Sequence, residues 1–324
     1  QYMAGHGVHI QMPSRVTGVR VEGNVVTGVI TQKETVPCSA VILATGGTTY
    51  ASTGSSGDGF KIAQALGHSI VPLRPALVPL TVREKELALS LQGVSLQDIR
   101  LTAFFRPKDG LLPAMTPKSD TGRGIEGKRP KPPVIESRRG DVLFTHFGIS
   151  GPAVLLMSLS IVDAIKENPV SIALDLMPDI AEEKAAAMLQ KEFNDFGKRT
   201  IQTILADYGQ QRITAAVMRM AGMEPVKAAS QVAAEERDRL INAFKCFRFS
   251  IEGPLSIDTA MVTAGGVSLR EINPQTMESK LIRGLYFCGE VMDIDAETGG
   301  YNLQAAFSTG YMAGENAASL SSAG

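Results

Sequence analysis

Short alternating runs open the chain. Val16 to Glu22 alternates apolar and polar residues, stops at Gly23-Asn24, and the pattern resumes from Val25 to Thr31. Alternation of period two on either side of a Gly-Asn pair predicts a β-hairpin, with Gly28 as a bulge in the returning strand. Val8-His9-Ile10 reads as a shorter strand ahead of it. Ala40-Val41-Ile42-Leu43-Ala44 is apolar without alternation, the pattern of a strand covered on both faces, and it ends abruptly at Thr45-Gly46-Gly47. Asp58 is placed to cap a short helix over 59–66, with Gly67 as its stop.

From Pro72 the pattern changes. Pro75-Ala-Leu-Val-Pro-Leu80 is a proline-bracketed crossing segment, the signature of a domain boundary. Strand-like runs follow at 101–106, 141–145 and 170–176. Between them lies a stretch rich in Gly, Pro, Lys and Arg, Pro117 to Pro133, which reads as a loop. Residues 179–246 carry helical spacing. Asp179 and Glu182 form a capping-box pair. Ala185, Met188, Leu189, Phe193 and Phe196 share a face, Ile201, Ile204, Leu205 and Tyr208 repeat the spacing, and Leu240, Ile241 and Phe244 mark another helix. These stripes read as core. After Ile257 a strand over 281–288 and a helix over 302–319 close the pattern, the helix bearing many small residues.

Composition narrows the function. Hydrophobic residues make up 44% and charged residues 20%, and 32 basic against 33 acidic residues leave a net charge of -1. Ordinary composition and balanced charge give no electrostatic reason to expect nucleic acid or a membrane surface as partner. With no long apolar run and no signal-like start, the expected location is the cytoplasm. Cys38, Cys246 and Cys288 form no C-x-x-C pair, which excludes a neighbouring dithiol that exchanges electrons with a cofactor. The four histidines are too scattered for a metal site.

The glycine motifs carry the chemistry. Gly122-Arg-Gly124-Ile-Glu-Gly127 matches G-x-G-x-x-G, yet no strand pattern precedes it and Lys128-Arg129-Pro130 follows, so it is not read as a phosphate loop. Thr45, Gly46 and Gly47 end a buried strand, where the backbone can approach a ligand at the carboxyl edge of a sheet; a plain strand-exit turn is the alternative. Gly299-Gly300-Tyr301-Asn302-Leu303-Gln304 puts two glycines before a helix, leaving free N–H groups and the positive dipole end for an electron-rich group, or simply capping the helix. Gly265 and Gly266 form a second close-approach loop, and Glu290, Asp293 and Asp295 supply acceptors for hydroxyls of a ligand or for water. In the middle of the chain, His146 beside Ser150-Gly151-Pro152 is the candidate for proton transfer, against the alternative of a structural histidine at a strand end.

Taken together these strings resemble one family. Ala44-Thr-Gly-Gly-Thr-Thr-Tyr50, Thr53-Gly-Ser-Ser-Gly-Asp-Gly59, Pro75 to Leu80, Leu143-Phe-Thr-His-Phe-Gly-Ile-Ser-Gly-Pro152, Val262-Thr-Ala-Gly-Gly-Val267, Tyr286 to Asp295 and Thr298 to Gln304 are similar to the BaiN/YhiN (aminoacetone-oxidase-like) flavoproteins. The resemblance implies an α/β fold: a Rossmann-like FAD-binding domain over 1–75 and 253–324, interrupted at 76–252 by a β-barrel-like and then helical insertion. It implies FAD as cofactor, NAD(P)H as a candidate electron donor, and a small-molecule substrate reached by a reductase or amine-oxidase reaction. Thr45, Gly46 and Gly47 would lie toward the adenosine. Gly289 and Glu290, with Asp293, would reach the ribityl or pyrophosphate, and Gly265, Gly266, Gly300, Tyr301, Asn302, Leu303 and Gln304 the isoalloxazine. Two departures stand out. Ala51 replaces the family's usual proline, and the family's opening strand, G-x-G-x-x-G and helix have no counterpart in this sequence. The FAD-binding domain is therefore expected to be incomplete at its N-terminus, and this stretch by itself to hold FAD weakly or not at all. FAD-dependent RNA modification and non-catalytic flavin binding remain the alternative functions.

Overall fold

The computed structural model describes residues 2–106 and 133–322. The Gly122–Gly127 match and almost all of the basic stretch from Pro117 lie outside the described residues. In chain order the elements are α1 (Tyr2–Gly5), β1 (Val16–Glu22), β2 (Val25–Thr31), β3 (Thr35–Pro37), β4 (Val41–Leu43), α2 (Asp58–Ala65) and β5 (Ile70–Ala76). There follow β6 (Leu80–Val82), α3 (Lys85–Ser90), β7 (Ser95–Phe105), β8 (Val134–Phe144), β9 (Gly148–Ser150), α4 (Pro152–Glu167) and β10 (Val170–Asp175). Then come α5 (Glu182–Asp195), α6 (Ile201–Leu205), α7 (Gln211–Met220), α8 (Ala234–Lys245), β11 (Phe247–Pro254), β12 (Val262–Val267), β13 (Leu285–Phe287) and α9 (Tyr301–Ser322). The chain divides into two units, Gln1–Ala76 with Ile257–Gly324, and Leu77–Ser256.

The first unit is built on three small sheets. The β1–β2 hairpin turns at Gly23 and Asn24, both with positive φ (61° and 109°), as a two-residue turn between twisted strands requires. The bulge falls on Thr27, one residue before the glycine expected to carry it, because Arg20 pairs with Gly28 and Val21 with Val26. β12 runs antiparallel to β5, and β13 pairs in parallel with β4, Phe287 opposite Leu43. Leu285, Tyr286 and Phe287 are all buried, and α9 packs on both strands through small residues, Ala313 and Ala317 among those buried.

Several local expectations are corrected here. Val8 to Ile10 is not a strand; it has no regular structure. The strand expected over 281–288 contracts to Leu285–Phe287, since Gly284 has φ +83° and breaks the ladder before it. Ile42 is 36% exposed, so β4 is covered on one face only. Asp58 lies inside α2 rather than capping it. Gly57, with φ +73°, holds the cap position, and the Asp58 carboxylate pairs with Arg15 at 2.8 Å. Gly67 ends the helix as expected, with φ +93°.

In the second unit six antiparallel strands close a barrel in the order β10-β11-β6-β9-β8-β7. Leu80, Leu101, Phe144, Ile149, Phe247 and Phe249 are fully buried, and the rings of Phe247 and Phe249 meet edge to face at 5.4 Å. Helix α4 packs on β8, starting with Pro152 in its first turn after Gly151 at φ +100°. The residues from α5 to α8 form the helical part, with Leu189, Phe193, Ile204, Leu205, Leu240 and Phe244 in its core. Met188 and Phe196, read as part of that core, are exposed. The Asp179–Glu182 capping box does not form. Helix α5 begins at Glu182 itself, and Asp179 binds Arg139 through two oxygens at 2.6 and 2.7 Å. A bidentate guanidinium contact is stronger than a local bond to one backbone N–H, so it takes the carboxylate away from the helix. The fold is thus α/β with a barrel and helical insertion, in agreement with the architecture that the sequence motifs imply.

Candidate functional site

The Gly46-Gly47 and Gly289-Glu290 segments meet beyond the carboxyl ends of β4 and β13. Gly46 turns the chain out of β4 with φ +70°. Gly47, the next residue, is buried, and a Cβ there would overlap Thr263 Oγ1 and come within 2.8 Å of Glu290 Oε1. Thr48 N–H donates to Thr263 Oγ1 at 2.9 Å, and Thr263 N–H donates to Glu290 Oε1 at 2.5 Å. Three segments distant in sequence therefore meet around one missing side chain. Thr45 faces the first turn of α2, where a Cβ on Gly59 would overlap its hydroxyl.

Gly265 and Gly266 were expected to admit a ligand. They lie inside β12, whose six residues are all buried, and what approaches them is the protein's own backbone. A Cβ on Gly265 would run into Pro72 O, and one on Gly266 would stand 2.7 Å from the Met292 carbonyl carbon. Beside it, Asp293 N–H donates to Val267 O at 3.0 Å. Gly289, at φ +72°, brings the exit of β13 against Ala306 of α9, and its N–H donates to Thr309 Oγ1 at 3.0 Å.

The start of α9 is open. Gly299 and Gly300 have φ +118° and +90°, and nothing lies within 4 Å of where a Gly300 Cβ would stand. Gln304 N–H closes the first helical bond onto Gly300 O at 2.9 Å, which leaves the N–H groups of Tyr301, Asn302 and Leu303 without an intrahelical partner. Asn302 folds back, accepting Ala296 N–H at 2.9 Å and donating to Ala296 O at 2.8 Å, and so fixes the loop that delivers the glycine pair. Gln304 Nε2 donates to Ser308 Oγ at 3.0 Å. Tyr301 is exposed, and Leu303, Phe307 and Tyr311 form an exposed stripe along the helix, 64%, 71% and 69% accessible.

His146 is not among these groups. It is an exposed residue at the β8–β9 turn of the second unit, with its ring edge-on to Phe147 at 4.9 Å. Among the described residues no group of three or more His, Cys, Asp or Glu could hold a metal ion, and no helix is long and apolar enough to cross a membrane. Cys288 is buried, and burial pushes its thiol above the usual range. Sequence reasoning missed Thr263 as a member of the cluster. Its signal was present: a lone hydroxyl in the otherwise apolar run Val262 to Val267, which must find a partner once buried.

A family model described as the HI0933-like protein Rossmann domain matches residues 1–316. The chain belongs to that family. Among curated proteins, a 3-dehydro-bile acid delta(4,6)-reductase of Clostridium scindens is 31% identical over 311 residues, 93% of this chain and 68% of the relative. A ribosomal RNA dihydrouridine synthase of Escherichia coli is 29% identical over 277 residues, 86% of this chain and 60% of the relative. The corresponding Haemophilus influenzae protein is 30% identical over 275 residues, 85% of this chain and 59% of the relative. The chain thus spans between 59% and 68% of the length of these relatives.

Proposed function

We propose that this protein is an FAD-dependent reductase acting on a carbon–carbon double bond conjugated to a carbonyl group. The observation that carries the reading is the open start of α9: a glycine pair in left-handed conformation, free space beside Gly300, and three backbone N–H groups at the positive end of a 22-residue helix. That arrangement fits the electron-rich edge of a flavin, which becomes anionic on reduction. Tyr301, Asn302 and Leu303 would offer their N–H groups there, Asn302 would hold the loop in place, and the segments at Gly46, Gly47, Gly289 and Glu290 would line the remainder. FAD, when bound, supplies the two-electron chemistry; the protein supplies orientation and electrostatics.

The relatives' names support the reaction class. A 3-dehydro-bile acid with delta(4,6) unsaturation carries double bonds conjugated to a ketone, and a dihydrouridine synthase saturates a uridine double bond next to a ring carbonyl. Reducing such a bond would add a hydride to its carbon remote from the carbonyl, β in an enone and δ at the far bond of a dienone, and a proton to the neighbouring carbon on the carbonyl side. NAD(P)H is the proposed source of the electrons. The two relatives differ in substrate size. The balanced charge of this chain supports a small molecule over RNA as the substrate, while the two synthase names keep RNA as the second reading.

The full-length protein is therefore expected to purify with, or take up, FAD and to oxidise NADPH faster when given a steroid dienone. A flavin absorption spectrum and NADPH consumption measured with a steroid dienone and, separately, with an unmodified ribosomal RNA fragment test this. Stimulation by RNA alone would select the second reading. FAD uptake without turnover of either compound would leave a flavin-binding protein and end the reductase assignment.

A further inference from the structure

Thr263 is fully buried in the second position of β12, and two of its polar groups face two different loops. Its Oγ1 accepts the N–H of Thr48 and lies 3.4 Å from the Thr48 hydroxyl, while its own N–H donates to Glu290 Oε1. Thr48 belongs to the loop leaving β4 and Glu290 to the loop leaving β13. Those strands are the parallel pair of the unit. In open α/β sheets the ligand sits outside the carboxyl ends of such strands, so the separation of these two loops is the width of the site.

Gly47 is what lets the three groups close together. Any side chain there would occupy the space of Thr263 Oγ1 and crowd Glu290 Oε1. The bond to the carboxylate is charge-assisted, stronger than a neutral backbone bond, and it holds Glu290 in one orientation. Glu290 Oε1 is thereby turned inward, and Oε2 is the oxygen with no partner among the described residues.

We propose that Thr263 is the positioning residue of the cofactor site. It clamps the Gly47–Thr48 loop to Glu290, sets the spacing between the loops after β4 and β13, and leaves Glu290 Oε2 as an acceptor for a ligand hydroxyl. The proposal rests on the flavin reading above. Removing the hydroxyl with the shape kept, Thr263→Val, takes the acceptor away from the part-buried Thr48 N–H, which turns to water instead and releases the loop. Thr263→Ser keeps the acceptor.

The test uses the full-length protein and three readouts: FAD affinity by fluorescence quenching, the fine structure of the bound flavin's visible absorption, and the thermal midpoint of the apoprotein. Thr263→Val is expected to weaken FAD binding about tenfold and blur the absorption shoulders, with the apoprotein midpoint little changed, and Thr263→Ser to stay within about threefold of wild type. Gly47→Ala is expected to weaken FAD comparably. Because both act through one contact, the double variant Gly47→Ala/Thr263→Val should bind no worse than the poorer single variant. Wild-type FAD binding with an unchanged Thr263→Val overturns this proposal alone. So does a fully additive double variant, or a lowered apoprotein midpoint that Thr263→Ser fails to restore. A wild-type protein that takes up no FAD overturns the flavin reading and this proposal with it.

Discussion

His68 shows how much one residue's behaviour depends on neighbours that its sequence position does not reveal. It is buried, with Nδ1 3.2 Å from Ala63 O and Nε2 2.7 Å from Ser279 Oγ. Ser279 Oγ already accepts the N–H groups of Leu281 and Ile282, each at 3.0 Å, so its own proton points at Nε2. The neutral ring therefore carries its hydrogen on Nδ1 and donates to Ala63 O. Burial pushes the pKa below the ordinary 6.5, opposed by the Ala63 carbonyl and the charge of Glu271. A histidine with a depressed folded pKa binds fewer protons folded than unfolded. Its contribution is present above the unfolded pKa and is lost as pH falls toward the folded one. The urea midpoint should thus fall as pH drops below the ordinary histidine value of 6.5, and His68→Gln should lose that part of the slope. A pH response identical in wild type and His68→Gln would show that the buried ring does not titrate as argued.

At the scale of elements, α9 combines a legible start with an illegible surrounding. The glycine pair and the helix behind it follow from the sequence, and the structure puts the helix start one residue ahead of the expected Asn302. Capping elsewhere was harder to read. Asp58 and Asp179 have the right residue type for a cap, but both are taken by arginines distant in sequence, Arg15 and Arg139. If the start of α9 faces the flavin, its dipole and free N–H groups stabilise the anionic reduced form over the neutral oxidised one. Gly300→Val fills that space and should lower the two-electron reduction potential of bound FAD. A partly buried helix end is worth up to about 2 kcal/mol, and about 1.4 kcal/mol corresponds to about 30 mV, so a shift on the order of tens of millivolts is expected. Gln304→Ala, which removes a side chain bonded to Ser308, should do less. Measured on protein that retains flavin, an unchanged or raised potential in Gly300→Val would remove α9 from the site.

For the molecule as a whole, stability of the second unit rests on its aromatic centre. Phe249 is fully buried, 5.4 Å from the Phe247 ring and 5.6 Å from that of Phe144. Truncating a buried phenylalanine to alanine removes its transfer free energy and leaves a cavity, a loss of about 3–5 kcal/mol. Phe249→Ala should show that loss as a lower denaturant midpoint at an unchanged slope. A loss below about 1 kcal/mol would mean that the barrel does not depend on this cluster.

The sequence by itself determined the hairpin, the helical stretch after 179, the glycine-led final helix and the α/β family, because each rests on periodicity, turn chemistry or a motif contained in a few neighbouring residues. Tertiary structure alone decided what the buried polar and small residues do. Gly265 and Gly266 admit the backbone of Pro72 and Met292, Gly47 admits Thr263 and Glu290, and Glu290 gives one oxygen to a backbone N–H before any ligand is considered. A glycine in a sequence records only that something comes close. Which atom comes close is settled by the pairing of strands 200 residues apart, and no local pattern carries that information.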